Sequence, residues 1–371
     1  MSSQNLPMTI GVEEEYQIVD PVTRQLSSSA DLLFAKAQRQ LGEHVQVEMQ
    51  LSQIEIATPV CDTLADVRKE VARLRGEMIS LAAQSGKKLL STGSHPFSRW
   101  QEQRITPKKR YQLLEHDYQQ LAREQVICGC HIHVGVDDQE LAIQTMNRMR
   151  AWLGPFLALT ANSPFWVGED TGYASFRTEV WSRWPTSGPP PVFASWNEYQ
   201  ELVQALISAG CLEDTTKVYW DIRPSGRFHT IELRLSDACL TMDETIMVAG
   251  LARALVQSCY KQVVQNIPTP VVHPDLARFA HWHAARYGLS HTLIDVIARR
   301  ALPAQRVIEQ FLTFLQPALE IVGDWESISS LVQETLQRGN GAARQREVYR
   351  RTGCMEDLVD YIIEETEQGI R

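Results

Sequence analysis

The sequence predicts an α+β fold in which helices pack outside an antiparallel sheet. Strand-like and helical segments follow one another in mixed order, and regular β-α-β alternation is missing, which disfavours a doubly wound parallel sheet. A helical pattern then runs from Met242 almost to Arg371, with breaks near Pro268–Pro274 and at Pro303. Because no linker precedes Met242, we expect residues 1–371 to form a single domain whose C-terminal part, from about residue 242, is helical.

The first predicted strand covers residues 8–19, where polar and apolar side chains alternate. Glu13 and Glu15 share one face of this strand, and Tyr16 lies on the other. Glu14 shares the apolar side with Tyr16, so we expect its carboxylate to pair with a basic group rather than with a metal ion.

The next segment, Val45–Thr58, is also strand-like but is interrupted by polar residues near Gln50–Gln53, which predicts a hairpin or bulge. Apolar residues then recur at three- and four-residue steps over Asp62–Ser85, which predicts a helix. Asp62 can cap the start of this helix, and Gly86 can end it.

Further elements follow from the same periodicities and turn residues. In chain order they are strand Lys88–Ser91, helix Pro107–Gln125, strand Val126–Val136, helix Asp137–Leu153, helix Trp196–Ala209, and strands Lys217–Arg223 and Phe228–Ser236. The stretch Asn162–Phe193 is aperiodic and rich in aromatic residues, glycine and proline, which predicts a loop. A loop of this length inside a compact domain is often functional.

Composition and charge exclude several classes of protein. Apolar residues make up 44% of the 371 and charged residues 22%, which is typical of a globular protein rather than a disordered or fibrous one. The formal net charge is -9 and no polybasic run is present, so nucleic acid is not an expected partner. No window approaches the ~20 apolar residues that span a bilayer, so a membrane is not expected either.

The N-terminal segment and the cysteines predict a cytoplasmic protein. The stretch Met1–Glu15 lacks the basic start and apolar core of a signal peptide. The 7 cysteines are an odd number without a dense framework, and Cys128 and Cys130 form the one close pair. This usage is typical of reduced thiols in a reducing compartment.

Several predicted strands carry charged or imidazole side chains on a single face. In each of three pairs the members are two residues apart and therefore point the same way. The pairs are Glu13 with Glu15, His131 with His133, and Glu232 with Arg234. Each has apolar neighbours on the reverse face, so the charged face needs partners if it is to be buried.

A fourth pair, Glu48 and Glu55, is seven residues apart, which would place the two on opposite faces of a straight strand. They can converge only if the chain turns between them, and we expect that turn at Leu51–Gln53. Five carboxylates and an imidazole on facing strands suit Mg²⁺ or Mn²⁺, and the absence of cysteine from this set argues against structural zinc. Each pair alone also fits an ordinary surface strand, so the prediction rests on the combination.

Six short motifs occur in a fixed order between residues 9 and 237. They are TIGVEEEY (9–16), GSHPF (93–97), GCHIHVG (129–135), ASFR (174–177), WDIRPS (220–225) and TIELRLSD (230–237), and RYGL follows at 286–289. With these motifs the sequence resembles the bacterial type 2 glutamate–cysteine ligase family, carboxylate–amine ligases that are related to glutamine synthetase.

The resemblance implies a curved, mostly antiparallel half-barrel with helices on its convex side and an active site on its open concave face. It also implies that ATP phosphorylates a carboxylate, such as the γ-carboxylate of glutamate, and that an amine, such as that of cysteine, displaces the phosphate to form an amide. The implied cofactors are ATP and two or three Mg²⁺ ions, for which Mn²⁺ could substitute. Analogy with the family also suggests a homodimer.

The resemblance assigns roles to individual residues of this chain. The positions that match metal ligands are Glu13, His131 and Glu232 for one ion, and Glu15, Glu48 and Glu55 for the others. The positions that match ATP or phosphate contacts are His133, Arg223 and Arg234. Arg234 would be catalytic, because a planar guanidinium offers paired donors to the transferred phosphoryl group.

The two substrates are less well defined by the sequence. Arg177 resembles an arginine that holds the substrate carboxylate. An amine pocket could lie among Tyr173, Trp181 and Tyr219, which the sequence does not rank. Because an acyl phosphate must be kept from water, we expect a cover over the site, and Gly168–Phe193 is the candidate.

Three other functions compete with the ligase prediction. A metal-dependent hydrolase could use the His131/His133 pair, although acidic residues dominate the predicted site. A phosphagen-type kinase would form a stable phosphorylated product without an amine. A binding protein without catalysis would leave the acidic residues unused, which is costly if they are buried.

Overall fold

We describe residues 8–370 of a computed structural model of the chain. The prediction that no signal peptide is present concerns mainly residues 1–7, which lie outside the described residues. No helix within the described part of the chain is long and apolar enough to cross a membrane.

The strands of the described residues form one large sheet and two small hairpins. In chain order they are β1 (Ile10–Val19), β2 (Val45–Val47), β3 (Gln53–Ala57), β4 (Lys88–Leu90), β5 (Gly129–Gly135), β6 (Phe165–Trp166), β7 (Glu169–Asp170), β8 (Ile222–Pro224), β9 (Thr230–Asp237), β10 (Thr292–Asp295) and β11 (Arg300–Pro303).

The helices of the described residues lie between and after these strands. They are α1 (Ala30–Leu41), α2 (Leu64–Gln84), α3 (Lys109–Tyr118), α4 (Gln120–Arg123), α5 (Gln139–Met149), α6 (Leu153–Thr160), α7 (Phe176–Trp181), α8 (Trp196–Ser208), α9 (Met242–Val264), α10 (Pro274–Tyr287), α11 (Ala304–Ile321), α12 (Trp325–Arg338), α13 (Gly341–Thr352) and α14 (Met355–Glu367).

The large sheet has the order β2-β3-β1-β5-β9-β8, and β4 pairs with the far end of β1. Every strand pair in it is antiparallel. Within residues 8–370 the edge strands β2 and β8 do not pair with each other, so the sheet is open rather than a closed barrel. The α+β class with an antiparallel sheet is therefore confirmed.

One face of the sheet is covered by helices α2, α5 and α9. Apolar side chains of β1, β5 and β9, such as Val12, Ile132 and Leu233, are buried there in one continuous core with helical residues such as Val71 and Val248. Because side chains alternate along a strand, the intervening residues of the same strands point to the opposite, open face.

Glu14 is directed into this covered side and forms a buried ion pair with Arg75 of α2, with 2.5 Å between Oε1 and Nη2. Tyr16 and Thr245 donate hydrogen bonds to the same carboxylate. The predicted pairing of Glu14 with a basic group is confirmed, and the charge pair anchors β1 to the helical layer.

Several local predictions were wrong. Thr63, not Asp62, caps α2, because its hydroxyl accepts from the amide of Asp66 while the Asp66 carboxylate accepts from the Thr63 amide. Lys217 belongs to a short 3₁₀ turn, and strand β8 begins only at Ile222. Helix α1 (Ala30–Leu41) was not predicted at all.

Two further differences involve turns that the periodicity does not show. The region after residue 242 contains the hairpin β10–β11, although the breaks near Pro268–Pro274 and at Pro303 are confirmed. The predicted loop Asn162–Phe193 contains hairpin β6–β7 and helix α7, in which the Ser175 hydroxyl caps the amide of Thr178. Short elements of this kind depend on tertiary contacts more than on propensity.

Candidate active site

Cross-strand pairing brings the predicted site residues together on the open face of the sheet. Glu13 of β1 lies opposite His131 of β5. Glu15 lies opposite Glu55 of β3. Residues that face each other in an antiparallel pair have Cβ atoms about 4.5–5.5 Å apart, so the register alone forces these charges into contact.

A first group of metal-binding side chains consists of Glu13, His131 and Glu232. One donor atom from each lies within 4.8 Å of the others, a spacing that a single ion could bridge. The Nδ1 atom of His131 is 3.2 Å from Oε2 of Glu13. Burial raises the pKa of Glu13, but hydrogen bonds with His131 and His133 outweigh it and hold this pKa well below its usual range.

A second group consists of Glu15, Glu55 and His131, again with donor atoms within 4.8 Å of one another. His131 belongs to both groups, and its second nitrogen, Nε2, is 3.7 Å from Oε1 of Glu15. The amide of Gly129 donates to the other oxygen of Glu15 at 2.6 Å, which fixes that carboxylate. Burial lowers the pKa of His131, so its neutral, ligating form is favoured.

Glu48 reaches the site because the chain turns between β2 and β3, in the region where the sequence predicts a turn. Its carboxyl group shares a hydrogen bond with that of Glu55, although within residues 8–370 Glu48 joins neither three-residue group. Burial and then the charge of Glu15 raise the pKa of Glu48 to about 8. Burial and the charge of Glu13 also raise that of Glu55.

These carboxyl groups lie closer together than their own charges favour. The carboxylates repel one another, and few cationic side chains lie among them to offset this repulsion. A donor set of carboxylate oxygens and one imidazole therefore fits a hard divalent cation. The residues present therefore suit the metal that the resemblance implies.

Glu232 is held by two arginines, one on either side. The Nε atom of Arg223 is 2.9 Å from Oε2 of Glu232, and Arg234 pairs with Oε1. Burial raises the pKa of Glu232, but the charges of Arg234 and Arg223 dominate and lower it. The register of β9 slips by one residue beside His131, so that Arg234 lies at an irregularity of the strand.

His133 lies beyond His131 on the same face of β5. Its Nδ1 is 3.0 Å from the hydroxyl of Thr230, and its Nε2 is 3.3 Å from Oε1 of Glu13. Burial lowers the pKa of His133, but the hydrogen bond and charge of Glu13 outweigh it and raise this pKa. The imidazole could therefore carry the positive charge that a phosphate group attracts.

Arg177 lies near the start of α7 with its guanidinium above β5. Its Nη atoms donate to the carbonyls of Arg234 and Leu235 at 3.1 and 3.4 Å. A Cβ atom at Gly129 would be 2.3 Å from Nη2 of Arg177, so only glycine leaves room for this arginine. Two donor groups are thus engaged with β9, whereas Nε has no partner within residues 8–370.

A cleft of ≈ 930 Å³ lies over this face, and it is lined by all ten predicted site residues. They are Glu13, Glu15, Glu48, Glu55, His131, His133, Arg177, Arg223, Glu232 and Arg234. The rim of the cleft was not predicted from the sequence. It includes Lys108 and Arg110 at the start of α3 and the Ser225–Phe228 turn between β8 and β9. No periodic pattern marks these residues, because they reach the cleft only through chain packing.

The segment Gly168–Phe193 contributes a wall to the cleft. Trp181 and Trp184 line it, whereas Phe193 is buried in the main core. Tyr173, one of the three residues considered for an amine pocket, does not line the cleft. Its hydroxyl accepts from Nε1 of Trp282 at 3.2 Å.

Comparison with known proteins identifies the family. The family described as glutamate-cysteine ligase family 2 matches residues 9–363. The chain belongs to the glutamate–cysteine ligase family 2. The family relationship that the motifs indicate is thereby confirmed, and the family does not favour the hydrolase alternative.

Individual relatives are similar over almost their whole length. The protein named "Putative glutamate--cysteine ligase 2" of Solibacter usitatus is 40% identical over 371 residues, which cover 100% of this chain and 96% of the relative. The protein of the same name from Rhodopirellula baltica is 39% identical over 363 residues and 96% of each chain.

A solved structure has the same fold as this chain. The crystal structure of glutamate–cysteine ligase from Francisella tularensis in complex with AMP aligns with a TM-score of 0.75. The alignment covers 99% of this chain and 90% of that one, at 12% sequence identity. At this identity the likeness shows the fold alone, and it confirms the predicted ligase fold.

Proposed function

We propose that this protein is an ATP-dependent carboxylate–amine ligase that joins a small carboxylic acid, with glutamate as the first candidate, to an amine such as cysteine. The observation that carries the proposal is that one cleft holds facing carboxylates for cations beside buried arginines for anions. Family membership supports ligase chemistry of the carbon–nitrogen type. A reaction that consumes ATP also suits the cytoplasm, which we propose as its location.

Two balanced steps make up the proposed reaction. A carboxylate oxygen of the acid attacks the γ-phosphorus of ATP, the bond to the β,γ-bridging oxygen breaks, and ADP leaves an acyl phosphate behind. The amine nitrogen then attacks the acyl carbon, the carbon–oxygen bond to phosphate breaks, and the nitrogen loses one proton as phosphate departs and the amide forms.

The residues of the chain mainly position charges for these steps. Divalent ions held by Glu13, His131 and Glu232, and by the second acidic group, would neutralise phosphate charge when bound. In this proposal Arg234 stabilises the transferred phosphoryl group, His133 and Arg223 contact phosphates, and Arg177 orients the acid. Positioning and electrostatic stabilisation supply most of the acceleration in phosphoryl transfer.

The test is ATP consumption against a panel of carboxylic acids with hydroxylamine as the trapping amine. We expect ADP release with Mg²⁺ that depends on one acid, together with formation of its hydroxamate. The hydroxamate would identify both the acyl phosphate and the acid. ATP hydrolysis that is independent of every acid would contradict the ligase assignment.

The metal site leads to a separate prediction for Glu13→Gln. This change removes a charged oxygen ligand from the first group but keeps the size of the side chain, so we expect Mn²⁺ to bind about 10- to 100-fold more weakly. Electron paramagnetic resonance of Mn²⁺ titrated into nucleotide-free protein measures the change without any turnover. Glu77→Gln, an exposed residue of α2, is the matched control. Equal Mn²⁺ affinity in the two variants would exclude Glu13 as a ligand.

A further inference from the structure

One end of the cleft is mainly aromatic, unlike the acidic centre, and Arg110 of α3 is among the charged residues that border it. Five side chains form what we name the aromatic pocket: Met49, Leu114, Trp181, Trp184 and Tyr219. The ring centres of Trp181 and Tyr219 are 5.1 Å apart, and those of Trp184 and Tyr219 are 5.3 Å apart. The pocket therefore has a continuous wall of three aromatic rings that also lines the cleft.

The aromatic pocket begins at the reaction centre. The guanidinium carbons of Arg177 and Arg234 lie 5.9 and 5.6 Å from the ring of Trp181. On its other side, Met49 directly follows Glu48 in the chain. A group bound in the pocket would thus lie next to the acyl phosphate that these arginines are proposed to hold.

The nucleotide is expected at the opposite end. His133, a proposed phosphate contact, is separated from Gly129 by His131 on the same face of β5. Arg177 covers Gly129, whereas His133 borders Thr230 and Phe228 of the far rim. With the phosphates directed toward His133, the aromatic pocket is left for the second substrate.

The chemistry of the pocket limits what it can hold. Trp181 already donates its Nε1 proton to the carbonyl of Tyr219 at 3.1 Å. Within residues 8–370, Trp184 Nε1 and Gln125 Oε1 are buried without partners. A charged side chain would lose its hydration among these rings, whereas an apolar one would gain by leaving water.

We propose that the aromatic pocket binds the side chain of the amine substrate, and that this side chain is apolar or aromatic. The amine nitrogen then remains at the mouth of the pocket, beside Arg234, where it can reach the acyl carbon. This inference rests on the proposed ligase function and adds the class of its second substrate.

The test compares amines once the trapping assay has identified the acid. With ATP and that acid saturating, amide formation is measured with glycine, cysteine, leucine, phenylalanine and lysine. We expect the KM for leucine or phenylalanine to be about 10- to 100-fold lower than for glycine, which reflects burial of one large apolar side chain. Equal KM values, or a preference for lysine or glycine, would overturn the proposal.

Variants of Trp184 assign the effect to the pocket. Trp184→Leu should raise the KM for phenylalanine about tenfold relative to the KM for glycine in the same variant, because glycine has no side chain to bury in the pocket. Trp184→Phe keeps a ring in place and should restore most of the affinity if packing is the cause. Phe279→Leu, an exposed aromatic residue on α10, is the matched control.

The readouts separate two failures. Absence of any hydroxamate in the unaltered protein contradicts the ligase function itself. Hydroxamate formation without a preference for apolar amines, or a Trp184→Leu variant that raises only the KM for the acid, rejects the amine pocket and leaves the ligase function standing.

Discussion

Arg234→Lys is expected to lower the turnover number about a thousandfold while ATP still binds. A guanidinium that stabilises a transferred phosphoryl group accelerates such reactions by roughly 10³–10⁵, and a lysine retains only part of this effect. In the structure Arg234 pairs with Glu232 and lies over the ring of Trp181, which fixes the plane of the guanidinium. A lysine is a single point charge that cannot pair with Glu232 and offer a second donor edge at the same time.

Two measurements separate catalysis from binding in this variant. Calorimetry with a non-hydrolysable ATP analogue should give nearly unchanged affinity, whereas acid-dependent ADP release should almost disappear. Arg73→Lys makes the same chemical change at an ion pair on the exposed face of α2 and should leave both values unaltered. Near-normal turnover in Arg234→Lys would remove this residue from the mechanism.

Arg75→Met is expected to have the largest effect on stability, a loss of about 3–5 kcal/mol in the free energy of unfolding. Arg75 is fully buried, and its Nε donates to Glu14 at 3.2 Å and to the hydroxyl of Tyr16 at 3.0 Å. Without the arginine, Glu14 would remain as a buried charge whose remaining partners within residues 8–370 are the hydroxyl groups of Tyr16 and Thr245.

A double variant shows whether the stability lost in Arg75→Met comes from the unpaired charge of Glu14. Adding Glu14→Gln to Arg75→Met removes the stranded charge, so the double variant should recover a large part of the lost stability in urea unfolding. If the double variant were as unstable as the sum of the two single variants, the loss would come from packing rather than from charge. Glu70→Gln, which breaks the partly exposed ion pair with Arg73, should change the free energy of unfolding by less than about 1 kcal/mol.

How far the sequence predicts the site depends on the local regularity of each segment. The pairs on β1, β5 and β9 are predictable because a strand alternates strictly, so spacing fixes the face on which each residue lies. The same logic identifies Glu14 as the residue of β1 that needs a basic partner. It does not identify that partner, because Arg75 lies sixty-one residues away on α2.

Irregular segments could not be predicted from the sequence in this way. The bulge beside His131, the capping of α7 and the hairpin β10–β11 have no periodic signal, because each is stabilised by contacts between segments distant in the chain. The aromatic pocket belongs to the same class, since its members come from α3, α7 and three separate connecting segments. Three aromatic residues were considered for the amine pocket, and only the packing of the chain shows that Trp181 and Tyr219 line the cleft whereas Tyr173 does not.

The sequence by itself determined the central strands β1, β5 and β9, the charged face of each and the family, because alternation and ordered motifs are local properties of the chain. Only the tertiary structure decided which carboxylates are close enough to bind one metal ion, which arginines pair with Glu232 and where the aromatic end of the cleft lies. Those properties depend on the register between strands and on the packing of helices against them, and neither is written in any single segment.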